Sequence, residues 1–464
     1  MIILLAAVML VGAVAGVLAV YRYPALFPYA LVTYLGWFYT VGGNFTLKFG
    51  GINVYMWDLL FVLGMLNLFI RVFLDAVPIG KEARWLILGL FAYVGWLEFS
   101  ELVNFFGYEN DQGFDSLIRV SISSLYPLLA LSMVLSLDSR SFSRFIKYVA
   151  LVAVIAALGM LIKETFNIGE PHITSSGTIR RGRGEMTVLL HIGLGILLFA
   201  KHPAPVIRYS GAGLLLIGIA LLGHRSSFLG TGVLLLIFFI YVLRERVDSY
   251  KAIFWVPVNA FLGAALISFI LFSNIPVVES FRTRLADTAD TENVTSVDRL
   301  EKWSIAFKSV KENPLGGTRL NGLPDFYGRY LQEARFNLFG LAEAHGAYLY
   351  MLSQGNDLAA ADVYPPHNVF VNILSRNGAV GLLFFLLVLL GAFLTLKYAD
   401  RRARYCGVAI LLANLMFLMF NNHFQSDTAT ALAICLIAIP IRLRMDENHE
   451  YATENKALRP AYLS

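Results

Sequence analysis

The sequence predicts an all-α integral membrane protein with twelve to fourteen spanning helices and one large extracytoplasmic loop domain. Three observations predict it. Of the 464 residues, 57% are apolar and only 15% charged, with a mean hydropathy of +0.65. A soluble domain carries about 25% charge, so this chain lacks the polar atoms needed to cover a globule in water. Apolar runs long enough to cross a hydrocarbon core, about 17–25 residues, recur along nearly the whole chain. Finally, Lys and Arg punctuate these runs in short loops instead of gathering on one polar domain, so a pI near 9.0 gives no case for nucleic-acid binding.

Thirteen spans are read in order: 2–20, 25–42, 53–70, 85–106, 117–137, 146–165, 185–200, 206–223, 226–243, 252–273, 378–396, 405–422 and 428–443. The first has the length of a signal peptide but no basic n-region and no clear small-residue cleavage site, so it is kept as a span. Basic loops follow alternate spans. They hold Arg71, Lys81 and Arg84, then Arg140, Arg144 and Lys147, then Lys201 and Arg208. Arg244, Arg246 and Lys251 follow, then Lys397, Arg401, Arg402 and Arg404, and last Arg442 and Arg444. The positive-inside rule puts these loops and the polar tail in the cytoplasm. The chain then divides into N-terminal helices (1–273), a periplasmic loop domain (274–366), a short outer helix with the last three spans (367–443) and a cytoplasmic tail (444–464). Cys406 and Cys435 both fall in apolar runs and read as packing residues; no disulfide framework or Cys-ligated zinc site is available.

Two stretches break the pattern. The loop from Phe166 to Gly184 lies outside by this topology, yet TIRRGRGE carries Arg180, Arg181 and Arg183 against the insertion rule. The second stretch, from Asn274 to Pro366, holds no run able to span and is too long for an idle connection. Within it, Leu300, Trp303, Phe307 and Val310 recur at helical spacing, Asp298 suits the N-cap, and Pro314 stops the helix. Further on, Pro365 and Pro366 lead into HNVFVNILSRNG, where Phe370, Ile373 and Leu374 form one apolar face and Asn377 with Gly378 offers a C-cap. His367 and Asn368 therefore open a short helix that stops before the next span.

Four groups of residues have the chemistry for a site. At a helix N-terminus the positive end of the dipole keeps the His367 imidazole neutral and able to accept a proton, and the first-turn N–H groups suit a phosphate. The plainer alternative is a loop histidine that only caps a helix. Arg225, in LLGHRSSFLG, interrupts an apolar stretch at an outer turn, where a charge is costly unless paired or snorkelling to the interface; its neighbour His224 reads as part of the turn. Arg180, Arg181 and Arg183 lie on the same outer side, and converging guanidinium groups suit a diphosphate or, more plainly, anionic lipid headgroups. Arg299 and Arg319 are similar in kind, but the carboxylates of their loop offer them partners.

Polar groups inside spans read mostly as structural. Glu98 and Glu101 with Arg119 are expected to pair, while His191 and Asn414 are expected to form interhelical hydrogen bonds. The chain has no Walker motif, nucleophile elbow or HExxH, and the early outer segment GGNFTLKFGGIN at 42–53 has no carboxylate to hold a divalent cation. Chemistry without a metal is expected, with arginines supplying the positive charge.

Three stretches in this order, GHRSSFLG (223–230), DRLEKWSIAFKSVKENPLGG (298–317) and PHNVFVNILSRNGAVGLLFF (366–385), resemble the bacterial O-antigen ligase and O-antigen (exopolysaccharide) polymerase superfamily. The last is the most specific: His-Asn, a short apolar helix, then Gly-x-x-Gly opening a span. The resemblance covers roughly 170–440 and implies a GT-C-like glycosyltransferase of the bacterial inner membrane, without cofactor or metal. It implies transfer of a glycan from undecaprenyl diphosphate to an acceptor sugar hydroxyl, on a lipid-linked repeat or on lipid A core. By the same resemblance His367 is the general base, Arg225 holds the diphosphate, Arg180 or Arg181 is a second phosphate contact and Arg319 is a looser match. An Asn-Pro-Asn-like segment usual in the family is replaced by RGRGEMT, which leaves the choice between those two arginines open. The long outer loop and the RRGRGE segment favour a polymerase over a ligase, and a polymerase is expected to work beside a flippase and a chain-length regulator. A transporter or flippase of similar hydropathy is the alternative of a different class; it would carry its essential charges at the membrane midplane, not at one outer face.

Overall fold

The structure is a computed structural model that describes residues 16–41, 46–49, 52–75, 83–107, 121–168, 172–173, 179–180, 186–199, 204–246, much of 303–317, and 368–419, apart from single positions within them. Ten helices and two small hairpins, with shorter helical pieces within 16–22, 121–125 and 303–312, account for most of these residues. The helices are α1 (Leu26–Val41), α2 (Met56–Phe69, continued by a π turn Ile70–Leu74), α3 (Arg84–Gly107), α4 (Leu128–Ser136) and α5 (Ser139–Phe166). Then follow α6 (Met186–Phe199), α7 (Pro205–Leu222), α8 (Arg225–Arg246), α9 (Val369–Lys397) and α10 (Arg401–Leu418). Among the described residues, five stretches are long and apolar enough to cross a membrane: Arg84–Val103, Ser141–Phe166, Pro205–Leu222, Ser226–Glu245 and Val369–Lys397. The protein is thus a multi-pass, all-helical membrane protein, and α1 and α6 add shorter apolar helices between the spans.

Local chemistry explains where helices start. Pro205 opens α7 at the position where a missing N–H costs nothing, and Asp400 caps α10 by accepting from Ala403 N at 2.6 Å. On α3 the exposed face beyond Arg84 is apolar, with Leu88, Phe91, Phe99 and Leu102 about two-fifths to three-fifths accessible, as a lipid-facing stripe must be. The inner faces approach through small residues, because lipid tails compete for apolar contact and close van der Waals packing is what joins membrane helices. A Cβ added at Gly193 of α6 would lie 2.5 Å from Ala153 of α5, and one at Gly230 of α8 would lie 2.5 Å from the Ala413 carbonyl of α10.

Helix α6 is the centre. All fourteen of its residues are buried, with α5, α7, α8 and α10 packed around it. Pairings along each helix give their directions. Gly193 beside Ala153 and Leu190 beside Gly218 set α6 antiparallel to α5 and α7. Phe199 stacks edge-on against Phe238, while Thr187 meets Ser227, so α6 and α8 run parallel. Helix α9 is antiparallel to α3, with Gly391 against Leu86 and Gly381 against Trp96, and its far end meets the start of α10, Leu396 against Gly407. At that end Arg402 Nε donates to the Phe199 carbonyl, Arg244 donates to the Tyr405 hydroxyl at 2.8 Å, and Arg401 lies 3.3 Å from Glu245. Basic groups therefore collect at one end of the bundle, and the N-termini of α6, α8 and α9 lie at the other.

Three expectations change. The span expected over 53–70 begins as a strand: Thr46–Phe49 (β1) pairs antiparallel with Ile52–Tyr55 (β2), and the helix starts only at Met56, since Gly50–Gly51 between β-branched and aromatic residues favours a two-residue hairpin. The span expected over 117–137 is broken by a turn at Tyr126–Pro127, which leaves α4 nine residues long, because Pro127 lacks the N–H that a continuous helix requires. In the loop helix the buried face turns: Ala306 is buried and Phe307 exposed, with Trp303 and Val310 half-buried. The spans expected at 252–273 and 428–443, most of the one at 2–20, most of the loop domain at 274–366, and the tail lie outside the described residues. Cys406 packs against the core as expected.

Candidate functional site

The short helix after His367 ends where the sequence places its end. Asn368 caps it, its Oδ1 accepting from Phe370 N at 2.9 Å and Val371 N at 3.1 Å. Ten residues after Asn368, Gly378 adopts φ 69° and ψ −172°, which breaks α9 into a short first piece, 369–377, and a long apolar second piece. Only glycine takes that conformation without strain. The break also removes the helical partners of the N–H groups that open the second piece.

The loop supplies one replacement. After the loop helix, Asn313–Gly317 form a turn in which Gly317 N donates to Asn313 O at 2.9 Å and Gly317 has φ 69°. The Pro314 carbonyl of this turn accepts from Ala379 N at 2.9 Å, capping the second piece. The two left-handed glycines face each other across the contact: a Cβ at Gly317 would lie 2.5 Å from the Arg376 carbonyl carbon, and one at Gly378 would lie 2.7 Å from Gly316 N. From the other side Trp96 Nε1 donates to Asn377 O at 2.9 Å. ENPLGG and SRNG, about sixty residues apart in the chain, thus form one junction beside the helix that follows His367.

The arginine-bearing elements also meet. Arg225 opens α8, with His224 O accepting from Ser227 N at 3.0 Å and Phe228 N at 3.3 Å. Arg180 lies on β4 (Ile179–Arg180), which pairs antiparallel with β3 (His172–Ile173), six residues before α6 begins. The second residue of α6, Thr187, shares a 2.6 Å hydrogen bond with Ser227 in the first turn of α8. Two parallel helix N-termini, that of α8 opened by Arg225, therefore lie side by side at the end of the bundle where α9 begins. Their dipoles point the same way, an arrangement that favours an anion. His367, Arg181, Arg183, Arg299, Arg319 and Arg119 lie outside the described residues.

His191 and Asn414 join helices as expected: Nδ1 of His191 is 3.4 Å from Asn414 Oδ1. Glu98 accepts from Ser124 Oγ on the segment before α4, and Glu101 is buried. Thr187, Ser227 and Thr231 escaped the sequence reading, since small hydroxyl residues occur on any membrane helix; only their placement around His191 singles them out.

Comparison with known proteins bears on the same segments. No curated protein matches the chain. The sequence profile described as O-antigen ligase matches residues 211–386, a stretch that contains Arg225, the ENPLGG turn, His367, Asn368 and Gly378 and leaves Arg180, Arg181 and Arg183 outside. With the loop turn and the broken helix of that stretch joined at Gly317 and Gly378, the chain carries over residues 211–386 a domain of the O-antigen ligase and polymerase family.

Proposed function

We propose that this protein is a bacterial inner-membrane glycosyltransferase that moves a glycan from undecaprenyl diphosphate to an acceptor sugar hydroxyl at the periplasmic face. The observation that carries this reading is the family match over 211–386 together with the gathering of three helix N-termini, those of α6, α8 and α9, at one end of the bundle. In the proposed reaction His367 takes the proton as the acceptor oxygen attacks the anomeric carbon from the face opposite the diphosphate. The bond from that carbon to the diphosphate oxygen breaks, the linkage inverts, and undecaprenyl diphosphate leaves. Arg225, with Arg180 or Arg181 and Arg319, holds the diphosphate as charge grows on it; Asn368, Arg183 and Arg299 support them. The lipid diphosphate is already activated, so neither ATP nor a metal is needed. The loop domain at 274–366 would lie on the periplasmic side, and the tail from 444 in the cytoplasm.

Polymerisation of O-antigen or exopolysaccharide repeat units is the reading preferred, on the long outer loop and the RRGRGE segment, beside a flippase and a chain-length regulator. The ligase reading, with lipid A core as acceptor, is favoured by the family description itself. The test is the lipid-linked and surface polysaccharide of a strain lacking the gene, complemented with wild type, His367→Ala or Arg225→Ala. Loss of long chains with single repeat units still exported identifies a polymerase. Full-length glycan retained on undecaprenyl diphosphate with bare lipid A core identifies a ligase. Rescue by both variants at normal protein levels would overturn the mechanism.

A further inference from the structure

Beneath Arg225 the bundle interior is polar in a way that helix packing alone does not require. His191 is fully buried in α6, yet Nε2 lies 3.2 Å from the Ser227 carbonyl and 3.1 Å from Thr231 Oγ1, both on α8, and Nδ1 lies 3.4 Å from Asn414 Oδ1 on α10. One turn nearer the α8 N-terminus stands the Thr187–Ser227 pair. Asn414 donates in turn to Ile410 O at 2.8 Å, and Thr231 Oγ1 lies 2.8 Å from Ser227 O. A neutral imidazole fits this setting with Nε2–H donating to the Ser227 carbonyl and shared with the Thr231 oxygen, while the Thr231 hydroxyl gives its own hydrogen to the same carbonyl. Gly230 lets the ring in: a Cβ there would lie 2.6 Å from His191 Cε1.

The network is confined to the first two turns of α8. Farther down the same interface, contact passes to aromatic rings, Phe199 against Phe238 and Tyr241. Apolar side chains serve there, so apolar side chains would serve at the other end if adhesion were the whole requirement. Hydrogen bonds add register. The pairs 187–227 and 191–231 match helix positions four apart on both helices, and a slide of one residue, about 1.5 Å, breaks both pairs. Arg225 sits two residues before Ser227 and moves with it.

We infer that His191, with Thr187, Thr231 and Asn414 around it, is a positioning residue that holds the first turn of α8, and so Arg225, in register for a lipid-linked diphosphate. This rests on the diphosphate role of Arg225 proposed above. A misplacement of about 1 Å in such a clamp is enough to cost up to a hundredfold in function.

The test uses the full-length protein in lipid nanodiscs and undecaprenyl diphosphate as the probe. Affinity and thermal midpoint are measured for wild type, His191→Leu, His191→Gln, Arg225→Ala and the His191→Leu, Arg225→Ala double variant. The expected result is that His191→Leu weakens binding about fivefold or more, while His191→Gln, whose amide reaches the Ser227 carbonyl, restores it. The double variant binds no worse than Arg225→Ala, because His191 acts through that arginine. If His191→Leu does not accumulate folded, Thr231→Val, which removes only a hydroxyl, takes its place in the cycle. Wild-type affinity in His191→Leu, or losses that multiply in the double variant, would overturn the inference. Wild-type affinity in Arg225→Ala would instead remove the diphosphate reading itself, and the inference with it.

Discussion

Replacing Gly378 by alanine strikes the junction where the loop and the two pieces of α9 meet. At φ 69° and ψ −172° an L-residue is in a region that is essentially glycine's alone, at a cost on the order of 1–3 kcal/mol. The new Cβ would lie 2.7 Å from Gly316 N and closer still to the Leu315 carbonyl, where real Cβ atoms stay beyond 3.0 Å. Those atoms are backbone and cannot rotate aside, so the 314–317 turn must withdraw and release the hydrogen bond from Ala379 N to Pro314 O, worth about 0.5–1.5 kcal/mol net. Together the loss is on the order of 2–4 kcal/mol. Gly95→Ala is the control, since its Cβ meets nothing within 4 Å and alanine favours a helix interior by about 0.5–1 kcal/mol. Thermal unfolding of the purified protein in detergent should show Gly378→Ala several degrees below wild type and Gly95→Ala level with it or above. In a complemented deletion strain Gly378→Ala should also lose most polysaccharide product, because the first piece of α9 no longer holds its angle. If the two variants behave alike in both assays, the junction has no such role.

Asn368→Ala removes the acceptor of two first-turn N–H groups and should cost about 0.5–2 kcal/mol, with Asn368→Ser retaining most of the cap. Product formation at matched protein level, with alanine low and serine near wild type, checks it. Elsewhere, Asn67 donates to Ser132 Oγ at 2.7 Å between α2 and α4, and Asn67→Ala should lower stability by only about 0.6 kcal/mol and leave product unchanged, as interhelical bonds in membranes commonly do. A large loss of product in Asn67→Ala, read on the same gels, would contradict that assignment.

Much of the architecture was legible because a membrane imposes a simple rule: a backbone in lipid must satisfy its own hydrogen bonds, so apolar runs of sufficient length become helices. The starts and ends of α3, α7 and α8, and the end of α5, fall within a few residues of their apolar runs for that reason. The break at Asn377–Gly378 was legible too, since glycine after a polar residue marks a helix end in any solvent. Strand and helix were confused over 52–55, where a short apolar run has no period long enough to decide between them. What chain order cannot convey is which turn meets which. That Gly317 faces Gly378, and that Thr187 and Ser227 bring the helix after RRGRGE beside the one that Arg225 opens, depends on packing between segments dozens of residues apart. Composition and hydropathy set the class of protein and its candidate charges because they act locally. The tertiary structure alone decided the neighbours, because close approach of backbones through glycine and buried hydroxyl pairs are satisfied only when the whole bundle has assembled.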